Sequence, residues 1–117
     1  MKRIIENATI VNEGRIFKGY VRIENDTIKE VKEGKAETQA EEESIDAEGL
    51  YLIPGMIDDQ VHFREPGLTH KGEIYTEAKA AVAGGITSYM EMPNTVPNAL
   101  TQGLLQDKYD RASEVSL

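Results

Sequence analysis

The sequence predicts an α/β protein in which a small antiparallel β domain precedes a β-α-β-α segment. Between residues 3 and 33, short runs rich in β-branched and aromatic residues alternate with turn formers, as in an antiparallel sheet. After residue 54, strand-like and helix-like apolar patterns alternate, which is typical of parallel strands joined by right-handed connections. The Pro54-Gly55 pair favours a turn between these two sequence patterns, so we expect domains at 1–53 and 54–117.

Within the first domain, the clearest prediction is a β-hairpin. The segments Tyr20 to Glu24 and Thr27 to Lys29 are β-prone, and the two-residue Asn25-Asp26 loop between them tolerates positive φ. Residues 35–44 are polar and acidic without apolar periodicity, so we expect a solvated loop or a frayed helix there. Ile45 to Ile53 is predicted to form one further strand.

In the second domain, the predicted order is strand, helix, strand, helix. Met56 to Phe63 and Ile86 to Met92 are predicted to form the two strands. Apolar residues at helical spacing predict one helix that ends at Gly84-Gly85 and a second that runs towards residue 117. The first apolar stripe comprises Ile74, Ala78, Ala81 and Val82, and the second comprises Leu104, Leu105, Tyr109 and Ala112.

Composition argues against several classes of function. The 117 residues include 21 acidic and 13 basic side chains, and the net charge of −8 disfavours nucleic acid and anionic lipid as partners. No cysteine is present, so a metal would have to be bound by histidine, carboxylate or amide oxygen. No stretch approaches the roughly 20 apolar residues of a membrane span, and no secretory signal is recognisable. We therefore expect a cytoplasmic protein.

Polar side chains at a spacing of two mark the candidate site. A period of two would place one set of residues on a single face of the first strand of the second domain: Asp58, Gln60, His62 and Arg64. Burying polar groups without partners costs roughly 2–7 kcal/mol each, so a ligand site explains this face better than a core does. Parallel sheets bind ligands at the carboxyl ends of their strands, where His62, Arg64 and Asn94 are predicted to lie.

Two motifs carry a family resemblance that covers essentially the whole chain. The run PGMIDDQVHFREPG, residues 54–67, and the run EMPNT, residues 91–95, resemble the first two barrel strands of dihydroorotases, which are cyclic amidohydrolases. The resemblance implies the start of a (β/α)8 TIM-type barrel. It also implies a zinc-dependent enzyme that interconverts N-carbamoyl-L-aspartate and dihydroorotate in pyrimidine biosynthesis, with hydantoinase or allantoinase specificity as the nearer alternative.

The resemblance also assigns roles to individual residues. His62 corresponds to the second histidine of the family's H-x-H zinc motif. Arg64 and Asn94 correspond to residues that hold the substrate carboxylate, a task that suits a guanidinium and an amide donor. Asp58 matches an acid with a positioning role, and His70 is assigned no role.

Gln60 is the main departure from the family pattern. It stands where the family has its first metal histidine, so an amide oxygen would replace a more basic imidazole nitrogen as a zinc ligand. Three interpretations stay open. Gln60 ligates zinc weakly, the site works with one metal, or the protein is a catalytically silent homologue that serves as a partner subunit.

Chain length sets a second limit on the predicted activity. A complete barrel needs about 250 residues, whereas this segment supplies only its first two β-α units. The resemblance places the catalytic residues and the other metal ligands on later strands, so no catalytic residue is assigned here and the segment alone should not turn over substrate. Assembly as a homo-oligomer, or with a partner enzyme of the pyrimidine pathway, is compatible with this prediction.

Overall fold

A computed structural model describes residues 1–37 and 39–117, which form two compact units, Met1–Pro54 and Gly55–Leu117. The division falls at the Pro54-Gly55 pair. The strands are β1 (Lys2–Asn12), β2 (Arg15–Glu24), β3 (Thr27–Glu33), β4 (Glu42–Asp46), β5 (Tyr51–Leu52), β6 (Met56–Val61) and β7 (Ile86–Glu91). The helices are α1 (Ile74–Ala83) and α2 (Gln102–Val115). Neither of these helices has the length and apolar character that a membrane span requires.

The first unit is a five-stranded mixed sheet. Strands β3, β2 and β1 pair in antiparallel order, and Asn25, with φ of 57°, lies in the predicted hairpin turn between β2 and β3. Strands β4 and β5 pair with β1 in parallel, so the prediction of an antiparallel sheet is wrong for these two strands. In the sheet order, β2 and β3 lie on one side of β1, and β4 lies on the other. The core of this unit contains Ala8, Ile10, Val21 and Ala47.

The acidic stretch before β4 differs from its prediction. Residues 42–44 belong to β4 rather than to a solvated loop, and Ile45 to Ile53 is split between β4 and β5 by a turn at Gly49, whose φ is 80°. The Glu42 side chain is only 3% exposed because its carboxylate accepts a hydrogen bond from Arg22 Nε at 2.9 Å. A partner distant in sequence therefore orders residues whose local composition favours a loop. Thr38, within the predicted loop, lies outside the described residues.

The second unit follows the predicted order of strand, helix, strand and helix. Strands β6 and β7 pair in parallel, and α1 connects them. As predicted, α1 ends at Gly84, and Gly85 follows with φ of 84°, a left-handed conformation that suits glycine. The buried core comprises Val61, Phe63, Ile74, Ala78 and Ala81. Val82 is 53% exposed, so the predicted apolar stripe is wrong at that position.

Helix α2 begins at a side-chain cap, where Thr101 Oγ1 accepts a hydrogen bond from the backbone nitrogen of Leu104 at 3.3 Å. Of its predicted apolar stripe, Ala112 packs against the core. Leu105 and Tyr109 are exposed, so the stripe is wrong for them, and the buried residue of α2 is Lys108. Lys108 can be buried at this position because it forms an ion pair with Glu91 of β7.

Candidate functional site

The end of β6 is irregular, and this irregularity sets the directions of the predicted site residues. Asp58 pairs with Tyr89 and Val61 with Glu91, so three steps along β6 face two steps along β7. Asp58 Oδ1 accepts a hydrogen bond from the backbone nitrogen of Gln60 at 3.0 Å, which stabilises this bulge. The strict alternation of side chains is therefore lost before His62.

The prediction that four polar side chains share one strand face is accordingly wrong. Strand β6 ends at Val61, and Arg64 lies beyond it with φ of 66°, a left-handed conformation. The alternation of residues 58–64 predicts a strand, but such an alternation cannot reveal that the strand contains a bulge or that Arg64 adopts a left-handed conformation. Two of the predicted site residues, His62 and Asn94, nevertheless come into direct contact.

The contact between His62 and Asn94 joins the ends of the two parallel strands. His62 Nδ1 lies 3.0 Å from Asn94 Oδ1. Because an amide oxygen only accepts hydrogen bonds, Nδ1 is the nitrogen that carries the proton in this contact. In the neutral imidazole, Nε2 then keeps its lone pair. Val61 and Phe63, on either side of His62 in sequence, are buried in the core, while the His62 side chain is exposed.

A second set of contacts holds together the loops that follow the two strands. The backbone nitrogen of Val96 donates to the carbonyl oxygen of Pro66 at 3.1 Å. Gly67 has φ of 84°, and a Cβ at this position would collide with the carbonyl oxygen of Val96. Thr95 is 1% exposed, and its hydroxyl donates to the carbonyl oxygen of Pro97 at 2.9 Å. The two loops therefore form one packed unit beside His62 and Asn94.

The Glu65 side chain is engaged in a structural hydrogen bond with the start of α1. Its Oε2 accepts a hydrogen bond from the backbone nitrogen of Ile74 at 3.0 Å, in the first turn of α1. The residue at the N-terminal boundary of α1, Glu73, makes no side-chain cap of its own. A carboxylate at a helix N-terminus is favoured by the free N–H groups and by the helix dipole. The acid in the HFREPG motif is thus engaged by α1.

Lys108 fixes the end of β7 from the helix side of the sheet. Its ammonium forms an ion pair with Glu91 and donates to the carbonyl oxygen of Met92 at 2.9 Å. The two side chains are 9% and 11% exposed. Burial lowers the pKa of Lys108. Sequence analysis missed this pair, although a lysine among apolar residues at helical spacing was a signal for it.

The remaining predicted site residues are open to solvent or to a ligand. Arg64 is half-buried as a residue, and its guanidinium has no ion pair or hydrogen bond among the described residues. The Gln60 side chain is exposed, and no hydrogen bond joins it to the His62 side chain in the described part of the chain. His70, which was assigned no role, is exposed as well.

The zinc ion that the family resemblance implies would need a set of side-chain ligands. Zinc sites in proteins use three or four side-chain ligands. Across residues 1–37 and 39–117, no group of three histidine, aspartate or glutamate side chains is placed to hold a metal ion. His62 fits one ligand position through Nε2, with Asn94 behind it. The side chains of residues 1–37 and 39–117 therefore do not form a complete zinc site.

Comparisons with known proteins agree with this architecture. The model of the Dihydro-orotase-like family matches residues 49–115. The dihydroorotase of Wolbachia sp. subsp. Drosophila simulans is 45% identical over 95 residues, which are 81% of this chain and 21% of that protein. The dihydroorotase of Bacillus subtilis (strain 168) is 40% identical over 117 residues, which are 99% of this chain and 27% of that protein.

Among solved structures, the L-hydantoinase (dihydropyrimidinase) from Arthrobacter aurescens superposes with a TM-score of 0.85 at 26% identity. The match covers 94% of this chain and 24% of the hydantoinase. It confirms the predicted fold class, a small β domain followed by the first β-α units of an amidohydrolase barrel. The chain spans about a fifth to a quarter of the curated relatives it matches. With the family model matching more than half of its residues, this chain belongs to the dihydroorotase-like family.

Proposed function

We propose that the intact protein is a zinc-dependent cyclic amide hydrolase of the dihydroorotase type, acting on a small substrate that bears a carboxylate. The observation that carries this proposal is the 3.0 Å contact between His62 and Asn94. It unites the two family motifs at neighbouring ends of parallel strands, the edge at which such sheets bind ligands. The guanidinium of Arg64, which has no partner within residues 1–37 and 39–117, lies in the same loop as His62.

Arg64 and Asn94 are the proposed carboxylate-binding groups. Without a protein partner among the described residues, the Arg64 guanidinium has its donors free for a planar anion. Asn94 uses its amide oxygen on His62, which leaves the amide N–H groups free to donate to the same anion. A substrate carboxylate would therefore meet a positive charge and a neutral donor, and the carboxylate would fix the orientation of the ring.

His62 is the proposed metal ligand of this segment, through Nε2, and Gln60 is a weaker candidate through its amide oxygen. Zinc held by a complete ligand set supplies a Lewis acid at the scissile amide. The further ligands belong to parts of the barrel beyond the two strands described here. In this proposal the intact protein interconverts N-carbamoyl-L-aspartate and dihydroorotate in pyrimidine biosynthesis, and it does so in the cytoplasm. Assembly as a homo-oligomer, or with a partner enzyme, is compatible with the proposal.

Two alternatives rest on specific observations. The structural similarity to the Arthrobacter aurescens L-hydantoinase favours a cyclic amidase whose substrate lacks the carboxylate. Gln60 in place of a metal histidine favours a silent homologue that binds a partner enzyme. Two observations favour the dihydroorotase reaction over both: the 40–45% identity to dihydroorotases, and the lack of a partner for the Arg64 guanidinium in the part of the chain that the structure describes.

The test compares two rings that differ only in the carboxylate. The intact protein, purified in the presence of zinc, is assayed for ring opening of dihydroorotate and of 5,6-dihydrouracil, and its metal content is measured by elemental analysis. We expect bound zinc and a higher kcat/KM for dihydroorotate. Preference for dihydrouracil would establish the hydantoinase-type alternative, and a protein that holds no metal and opens neither ring would establish the silent homologue.

A further inference from the structure

Asn94 contacts the imidazole of His62 at the nitrogen that is not proposed to bind metal. The atoms in contact are His62 Nδ1 and Asn94 Oδ1, at 3.0 Å, between residues 32 positions apart in sequence. A neutral histidine without a partner can carry its proton on either nitrogen. A hydrogen bond to one nitrogen selects the tautomer and leaves the other nitrogen as the base. In metal sites, the ring N–H opposite the metal commonly donates to an oxygen in this way.

The backbone around Asn94 is held on both sides, so the position of its amide is restricted. On the C-terminal side, Thr95 is buried, its backbone nitrogen donates to the carbonyl oxygen of Pro93 at 2.9 Å, and Val96 is hydrogen-bonded to Pro66. On the N-terminal side, Met92 donates to the carbonyl oxygen of Val61 at 2.9 Å. A polar group held in this way keeps its partner in one orientation, which is what a preorganised site requires.

We propose that Asn94 is a positioning residue that holds His62 in the Nδ1-protonated tautomer and so presents Nε2 for metal binding. Its amide would then perform two tasks at once. The oxygen orients His62, while the N–H groups face the substrate carboxylate. The part that concerns zinc rests on the proposed function, whereas the part that concerns the tautomer depends only on the contact itself.

Two substitutions separate these tasks. Asn94→Asp keeps an oxygen that can accept from Nδ1, but it removes the N–H donors and places a negative charge beside a substrate carboxylate. Asn94→Leu has nearly the same size and removes both functions. Asn98 is the matched control because it is exposed and its side chain makes no hydrogen bond among the described residues. Asn98→Asp and Asn98→Leu introduce the same chemical changes outside the contact.

The experiment measures the His62 tautomer in the metal-free intact protein at about pH 8.5, which is about two pH units above the ordinary pKa of free histidine. Long-range proton–nitrogen correlation spectra of protein labelled with ¹⁵N-histidine separate protonated from unprotonated ring nitrogens. The His62 signals are those that disappear in His62→Gln. We expect a protonated Nδ1 in the wild type, in Asn94→Asp and in both Asn98 variants, and a loss of this preference in Asn94→Leu. A wild-type His62 protonated at Nε2, or an unchanged tautomer in a folded Asn94→Leu variant, would overturn the proposal.

Zinc affinity provides the second readout, measured by competition with a chelator. Asn94→Leu should weaken binding about 10- to 100-fold, as is typical for loss of an oxygen partner behind a metal histidine. Asn94→Asp should retain the affinity but raise KM for dihydroorotate. Equal zinc affinity in the Leu variant would overturn the metal part of the proposal. If the wild type binds no zinc, the proposed function fails, while the tautomer result still decides the role of Asn94.

Discussion

Lys108 of α2 and Glu91 of β7 form a buried ion pair beneath the strand end that leads to Asn94. The same ammonium donates to the carbonyl oxygen of Met92 at 2.9 Å. This pair fixes where the chain leaves the sheet, so the geometry of the candidate site depends on a helix residue on the other side of the strand.

Replacing Lys108 should be costly. Lys108→Met leaves Glu91 as a buried charge without its partner, and we expect the free energy of unfolding to fall by about 3–5 kcal/mol. Arg111→Met is the matched control because its ion pair with Asp107 is exposed, and its cost should stay below about 1 kcal/mol. Urea unfolding measures both. Equal losses in the two variants would show that burial of the Lys108 pair does not matter.

A second prediction distinguishes two costs of replacing a glycine by alanine: the strain of a left-handed backbone and the steric collision of the added Cβ. Gly67 and Gly85 both have φ of 84°, but a Cβ would meet Val96 at Gly67 and nothing within 4 Å at Gly85. Gly85→Ala should cost about 1–2 kcal/mol for the left-handed conformation alone. Gly67→Ala should cost about 1–3 kcal/mol more, because the two loops must move apart. Thermal or urea unfolding would contradict the packing of these loops if the two substitutions had the same effect.

A third prediction addresses carboxylate recognition. If the proposed function holds, Arg64→Met in the intact protein should remove a charge-assisted contact worth about 1.5–3 kcal/mol, which is roughly a 10- to 150-fold loss of kcat/KM on dihydroorotate. An uncharged hydantoin should lose much less. Arg111→Met, on the exposed face of α2, controls for loss of positive charge. The same loss on both substrates would mean that Arg64 does not contact the carboxylate.

A fourth prediction concerns Gln60 and the metal. An amide oxygen binds zinc more weakly than an imidazole nitrogen, so Gln60→His should raise the zinc retained after dialysis by up to about one ion per chain. Gln102→His, which adds an exposed imidazole on α2, should not. Elemental analysis of the wild type and both variants, with activity assayed in parallel, measures the effect. Two tightly held zinc ions in the wild type, unchanged in Gln60→His, would show that Gln60 does not weaken zinc binding.

The sequence predicted correctly those turns and helix ends that are determined by residues close to them in the sequence. Asn25 adopts the positive φ of the predicted hairpin, and Gly84-Gly85 ends α1 as expected. The errors arose where a distant residue decides the structure. Glu42 enters a strand because Arg22 pairs with it across the sheet, and Lys108 replaces an apolar residue in the buried face of α2 because Glu91 lies opposite.

For the candidate site, the sequence predicted where the residues lie in the fold but not the directions of their side chains. The alternation of strands and helices placed His62, Arg64 and Asn94 at one edge, and the structure brings two of them into contact. The direction of each side chain was not predictable, because the bulge between Asp58 and Val61 and the left-handed Arg64 depend on pairing with β7 and on the loop geometry. The roles assigned to these residues remain predictions.

The packing of Gly67 against Val96 has a consequence for protein engineering. Residues 62–67 and 94–97 shape each other, so neither loop is an independent module. Transplanting the first loop alone into another barrel would leave Gly67 without the backbone that requires it and His62 without its oxygen acceptor. The smallest segment that could be exchanged as a unit is therefore discontinuous in sequence, and a chimaera must take both strand ends from the same parent.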